Sequence, residues 1–266
     1  MEPIETMDAR TCQGIEAVFT DLDDTLTRDG KLTAGAYEAL WRLGEAGICV
    51  VVVTGRPAGW ADLIMRLWPV AGVVGENGAC IFRLDASGRA VRWYARDMET
   101  RRRDRAALDA AAREILGLVP GLKLAADQAF RETDIAIDIS EEVDALDEPT
   151  LERIQAVLAS KNLKYKLSSI HINAWFGEHD KAKTCRRFIR EVLGASPGTG
   201  GHLFIGDSPN DEPLFEAFDL SVGVHNIERY APRLAHPPRY VTRACGAEGF
   251  VEMADHVLSS RSRAVP

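Results

Sequence analysis

The chain has 266 residues, 46% of them apolar, and a formal net charge of −8. That composition supplies a core for one large domain or two smaller ones and excludes wholesale disorder. The acidic balance argues against general nucleic-acid binding, which draws on basic surface, yet leaves room for a local basic pocket that takes an anionic substrate.

The first strand is EAVFTD, residues 16–21, and it runs into the acidic turn DLDDT. Thr33 caps a helix through about Ala46, with Tyr37, Leu40, Trp41 and Gly44 on one face and Gly47 at its end. ICVVVV at 48–53 is an unbroken apolar run, as expected of a parallel strand buried on both faces. Pro57 opens a helix to about Trp68, and AGVVGENGA adds a third strand and a polar turn. This alternation predicts a parallel sheet with right-handed crossovers.

The rhythm then changes. ACIFRL and AVRWYAR, joined by DASGR, read as a hairpin. Helices are expected over about 99–116 and 148–161. TDIAIDIS alternates like a half-exposed strand, and KLSSIHINAWF supplies another. Two strand pairs with two helices suggest a separate α+β module, with Gly78 and Gly177 as candidate hinges. The first rhythm resumes with a helix capped by Asp180, the strand HLFIGD, a helix in NDEPLFEAF and the strand LSVGV. RYVT is a candidate further strand, a last helix spans about 249–259, and the tail SSRSRAVP reads as loose. The expected architecture is an α/β, Rossmann-like core of residues 1–81 and 176–266, interrupted by an inserted α+β domain of residues 82–175.

The five cysteines, Cys12, Cys49, Cys80, Cys185 and Cys245, show no paired metal spacing and read as reduced thiols. No apolar run is long enough to span a bilayer, and no signal-peptide pattern opens the chain. The expectation is a cytoplasmic protein with no membrane partner and no nucleic acid, a monomer or homodimer.

In an open parallel sheet the ligand crevice lies beyond the carboxyl ends of the strands. Strands ending at Asp21, Thr54 and Asp207, and the helix start at Lys181, converge there. Asp21, Asp207 and Asp211 would form a hard oxygen site of the kind that suits Mg²⁺. The cation would offset the repulsion among clustered carboxylates. Thr54, Gly55 and Lys181 offer a hydroxyl, a backbone N–H and a positive charge to a phosphate.

DLDDTL, VVTGR, the lysine of HDKAKT and GDSPNDEP resemble, in order, the four motifs of haloacid dehalogenase-like phosphatases. The insertion between the second and third motifs is similar to a type C2 cap of the IIB form, and GENGA is similar to the same subfamily. The resemblance implies a Mg²⁺-dependent phosphatase of a small phosphate ester. Asp21 would be the nucleophile and Asp23 the general acid and base. Thr54 and Lys181 would hold the phosphoryl group, with Leu22, Gly55, Arg56, Asn77 and Asn210 also at the substrate. Asp21, Asp207, Asp211 and the Asp23 carbonyl would hold the metal.

Sugar phosphates are the implied substrate class, and GDSPNDEP is most similar to the motif of mannosyl-3-phosphoglycerate phosphatases. A phosphomannomutase-like phosphotransferase and a non-catalytic ligand-binding relative are the competing readings. Departures from the pattern are Asp24, where relatives often have Gly and where a turn cap is expected, and Ala182 after Lys181, which leaves Lys183 as a rival. Asn77 is either a substrate contact or a positive-φ turn residue, and Arg56 either steers anions or pairs with Glu76. His171, Asn173 and Trp175 share one strand face as candidate pocket residues. The run RRRDR at 101–105 reads as a solvated helix face.

Overall fold

The computed structural model describes residues 1–168, 170–198 and 200–262. In chain order the strands are β1 (Glu2–Pro3), β2 (Ala17–Thr20), β3 (Thr27–Arg28), β4 (Lys31–Leu32), β5 (Cys49–Val53), β6 (Gly72–Gly75), β7 (Cys80–Leu84) and β8 (Ala90–Tyr94). There follow β9 (Asp134–Asp138), β10 (Lys164–Leu167), β11 (His171–Trp175), β12 (His202–Gly206), β13 (Leu220–Gly223) and β14 (Tyr240–Val241). The helices are α1 (Ala9–Gln13), α2 (Ala34–Glu45), α3 (Ala58–Leu67), α4 (Met98–Leu116), α5 (Glu148–Ser160), α6 (Lys181–Glu191), α7 (Glu212–Ala217) and α8 (Gly246–Ser262).

A nine-stranded sheet has the order β1-β14-β13-β12-β2-β5-β6-β7-β8. It is parallel from β1 to β6, and β7 and β8 add an antiparallel edge. Strands β2, β12 and β13 are buried along their whole length, as apolar runs covered on both faces must be. Val18, Val50 and Val52 point to one face, where α2, α3 and α8 pack with Leu40, Ile64 and Phe250. Phe19, Val51 and Val53 point to the other, against Phe188 of α6 and Leu214 of α7. Each such fully buried large side chain stabilises the fold by roughly 1.5–3 kcal/mol.

A second sheet, β10-β11-β9, is antiparallel. Its outer face carries Ile135, Ile137, Ile172 and Ala174, packed on Leu108 and Ile115 of α4 and Ile154 and Leu158 of α5. This unit therefore has a hydrophobic core of its own.

Several expectations change. The hairpin β7/β8, assigned from sequence to the inserted module, extends the large sheet, because Val73 and Val74 pair with Phe82 and Ile81 and carry the apolar surface outward. The inserted unit thus holds three strands instead of two pairs. KLSSIHINAWF forms two strands, β10 and β11, paired to each other; Ser169 lies outside the described residues. Gly78 sits in the core rather than at a junction, whereas Gly177 lies against Arg96 where the chain returns. Helix α8 runs to Ser262 and so takes in part of the tail expected to be loose, while residues 263–266 lie outside the described range. Thr33 and Asp180 cap α2 and α6 as expected. The cysteines form no disulfide, and no described helix is long and apolar enough to cross a membrane.

Candidate active site

Strand β2 delivers Asp21, β12 delivers Asp207, and the turn after it delivers Asp211. One carboxylate oxygen from each lies within 4.8 Å of the others, and all three residues are buried. Lys181, the first residue of α6, places Nζ 2.7 Å from Asp21 Oδ1 and 3.1 Å from Asp211 Oδ1. Burial pulls the Lys181 ammonium down, but Asp21 and Asp211 outweigh it and hold it above its usual range. Burial pushes the Asp21 carboxyl up to about 8, against Lys181 and with the help of Asp211 and Asp23. Burial with Asp211 and Asp21 beside it pushes Asp207 up to about 9.

Three buried carboxyl groups beside one ammonium cannot all ionise cheaply, and a further cation is what would let them do so. Their all-oxygen donor set suits Mg²⁺, which prefers carboxylates and water. The residues therefore fit the metal that the sequence motifs imply. Asn226 donates from Nδ2 to Asp207 Oδ2 at 3.2 Å and to the Asp24 carbonyl at 3.1 Å, fixing the outer side of the trio.

Asp23 stands at the rim with its side chain 40% exposed. Arg56 forks onto it: Nε lies 3.1 and 3.0 Å from the two carboxylate oxygens, and Nη2 lies 2.9 Å from Oδ1. Arg56 also reaches Glu141 of the inserted unit at 3.3 Å. The alternative pairing with Glu76 is absent. Glu76 is buried and accepts from the N–H groups of Ala58 (2.8 Å), Glu132 (2.8 Å) and Thr133 (2.7 Å), and from the Thr133 hydroxyl. Three of these four bonds tie the core to the inserted unit, and the fourth fastens the start of α3.

Above these groups lies a cavity of about 590 Å³, walled by core residues including Gly55 and Asn77 and by Arg131, Lys166, His171 and Asn173 of the inserted unit. Asn210 lines it as well, and Lys166 Nζ donates to its carbonyl at 2.9 Å. Asn77 has φ +55°, and its Nδ2 is buried without a hydrogen-bond partner. Asn77 is thus a left-handed turn residue, and it presents an unmet donor beside the cavity.

Thr54 is buried beside Gly55, and its hydroxyl accepts from the Arg56 N–H at 3.0 Å. Leu22 turns its side chain into the hydrophobic core, so it offers the site only its main chain. Lys183, the rival to Lys181, is exposed and bonds the Glu178 carbonyl and Asp180, away from the carboxylates. Asp24 has φ +57° and makes no capping hydrogen bond through its side chain among the described residues. A left-handed backbone is the physical reason for glycine at such a position.

His171 and Asn173 reach the cavity, but Trp175 stacks on His179 instead, with ring centroids 5.6 Å apart. Three of the four arginines at 101–105 are held by neighbours away from the cavity: Arg101 by Glu132, Arg103 by Thr100 and Arg105 by Asp109. Glu141, Arg131, Lys166 and Asn226 carried no signal in the sequence. Their roles depend on contacts with residues 19 to 85 positions away.

Residues 18–103 match the family model described as haloacid dehalogenase-like hydrolase. Over that segment, which carries Asp21, Asp23 and Thr54, the chain is similar to haloacid dehalogenase-like hydrolases. No curated protein matches the sequence. Solved structures with the same fold include a Thermoplasma acidophilum protein, at 18% identity and TM-score 0.71, covering 91% of this chain and 98% of that one. The sucrose-phosphatase of Synechocystis, solved with sucrose and phosphate, is 17% identical with TM-score 0.61, covering 91% and 97%. The trehalose-6-phosphate phosphatase C-terminal domain of C. albicans is 13% identical with TM-score 0.68, covering 97% and 99%. These likenesses concern the fold: a Rossmann-like parallel core with an inserted cap.

Proposed function

We propose that the protein is a Mg²⁺-dependent phosphatase that hydrolyses a small phosphorylated metabolite, a sugar phosphate, through an aspartyl-phosphate. The observation that carries this reading is the buried trio Asp21, Asp207 and Asp211 with Lys181, at the ends of parallel strands, with Asp23 two residues beyond Asp21. The inserted unit, from about Ala95 to Gly177, acts as the cap that excludes water from the cavity.

In the first step an Asp21 carboxylate oxygen attacks phosphorus, the bond to the leaving alkoxide breaks, and Asp23 gives that oxygen its proton. In the second step Asp23 takes a proton from water as the water oxygen attacks phosphorus. The bond to Asp21 then breaks and inorganic phosphate is released. Asp23 Oδ2 accepts a single bond from Arg56, so it keeps a lone pair on which to carry the proton. Lys181, Thr54 and the Gly55 N–H hold the phosphoryl oxygens, where positioning and charge stabilisation supply most of the catalysis. Asp21, Asp207, Asp211 and the Asp23 carbonyl would hold Mg²⁺, which supplies compensation for the charge on the phosphoryl group.

The testing experiment is phosphate release from mannosyl-3-phosphoglycerate, sucrose and trehalose phosphates, hexose phosphates and a generic aryl phosphate, with and without Mg²⁺. Release that requires Mg²⁺ is expected. No release from any ester refutes the reading, and turnover that requires a sugar bisphosphate moves it to a phosphomutase.

A further inference from the structure

The cap face that looks into the cavity has an uneven charge balance. By the pleat of the sheet, Lys166 of β10 and its cross-strand partner Asn173 share that face with Asp134, Asp138 and His171. Every carboxylate there is already satisfied. Asp134 is held by Arg131 at 3.0 Å and by Asn173 Nδ2 at 3.0 Å. Asp138 accepts from the backbone N–H groups of residues 140, 141 and 142. Glu141 lies 3.3 Å from Arg56 and 2.8 Å from His171.

Lys166 is different. Among the described residues no carboxylate lies within 4 Å of its ammonium, and its one bond is to the neutral Asn210 carbonyl. The charged groups near it are Lys181, Asp211, Asp180 and Glu212. Of these, Lys181 and Asp211 already bond each other, and Asp180 is held by Lys183. A part-buried ammonium next to a second ammonium is unfavourable unless an anion comes to it. Leu167 and Ile170 flank it in the cavity wall. The position is on the inserted unit, in the wall of the cavity opposite the core residues Gly55 and Asn77.

We propose that Lys166 determines specificity by binding a second anionic group, a carboxylate or a second phosphate, on the leaving-group half of the substrate. This rests on the phosphatase reading and narrows its substrate class to phosphate esters that carry a further negative charge.

The test compares matched pairs: 3-phosphoglycerate with glycerol 3-phosphate, and fructose 1,6-bisphosphate with fructose 6-phosphate. In the unaltered protein the doubly anionic member of at least one pair is preferred, and which pair shows it tells carboxylate from phosphate. In Lys166→Met the KM for that member rises roughly ten- to a hundredfold, the scale of a charge-assisted hydrogen bond. The KM of its partner and the inhibition by inorganic phosphate stay unchanged. Lys166→Gln gives the same comparison if the methionine variant does not fold.

Equal KM losses for both members, or weaker inhibition by inorganic phosphate, would place Lys166 on the phosphoryl group and overturn the proposal, as would no preference in the unaltered protein. If the protein turns over no ester at all, the phosphatase reading fails. Calorimetric binding of 3-phosphoglycerate and glycerol 3-phosphate to both proteins then decides the role of Lys166 separately.

Discussion

Replacing Gly78 by alanine tests how the turn after β6 sets the position of Lys181. Gly78 has φ +98°, and a Cβ there would lie 2.3 Å from the Asp180 carbonyl oxygen, 2.4 Å from its carbon and 2.9 Å from the Lys181 nitrogen. The Thr184 hydroxyl also donates to the Gly78 carbonyl at 2.6 Å, fastening the first turn of α6 to this spot. Backbone strain at such a φ costs roughly 1–2 kcal/mol. Overlap with main chain that has no rotamer to yield adds about 1–3 kcal/mol. The expected loss is therefore about 2–5 kcal/mol, a large part of a typical total of 5–15 kcal/mol. Helix α6 must retreat at its start, carrying Lys181 away from Asp21, so phosphate release falls with stability. Gly88→Ala is the control, since Gly88 has φ +79° but nothing within 4 Å of an added Cβ; it should lose only the strain component. Urea unfolding followed by circular dichroism, beside phosphate release, measures both. A Gly78→Ala protein as stable and active as the unaltered one, or no worse than Gly88→Ala, refutes the reasoning.

Asp21→Asn should remove the nucleophile and reduce phosphate release to background while leaving unfolding cooperative; surviving turnover would exclude an aspartyl-phosphate at this residue. Asn226→Ala takes away the amide bond to Asp207 Oδ2, and Mg²⁺ affinity measured by calorimetry should weaken roughly tenfold, whereas unchanged affinity would mean that Asn226 serves only the loop. His179 has both ring nitrogens buried without partners, and burial, with Arg96 beside it, pulls it down to about 4. The unfolded chain protonates near the ordinary histidine value and the folded chain does not, so this contribution is present above about pH 6.5 and is lost as pH falls toward 4. It amounts to about 3 kcal/mol at most, and His179→Gln should flatten the fall in stability across that window in urea titrations at stepped pH; an unaltered slope would sink the assignment.

The core was legible because its signals are local. Unbroken valine runs mark doubly covered strands, and Thr33 and Asp180 mark helix starts through bonds to residues three positions on. Short polar motifs at strand ends carry the acidic trio and Lys181, since a parallel sheet brings every such end to the same edge. The hairpin β7/β8 was misassigned because a hairpin's pattern is the same whichever sheet it joins; the partner at Val73 and Val74 is what decides. Lys181 and Lys183 are two positions apart and indistinguishable as a string, but the helix turns one onto Asp21 and the other outward. Arg56 was recognisable as a charge near the site, yet its fork on Asp23 depends on two strand ends meeting in the core and its reach to Glu141 on the inserted unit packing against that core. The same holds for Lys166. Residue type and neighbours in the chain settle which strands, helices and reactive ends exist, because those choices are made by backbone preference and burial pattern. Which charges face each other across the cavity depends on long-range packing, because charge balance is set by distance in space and not by distance along the chain.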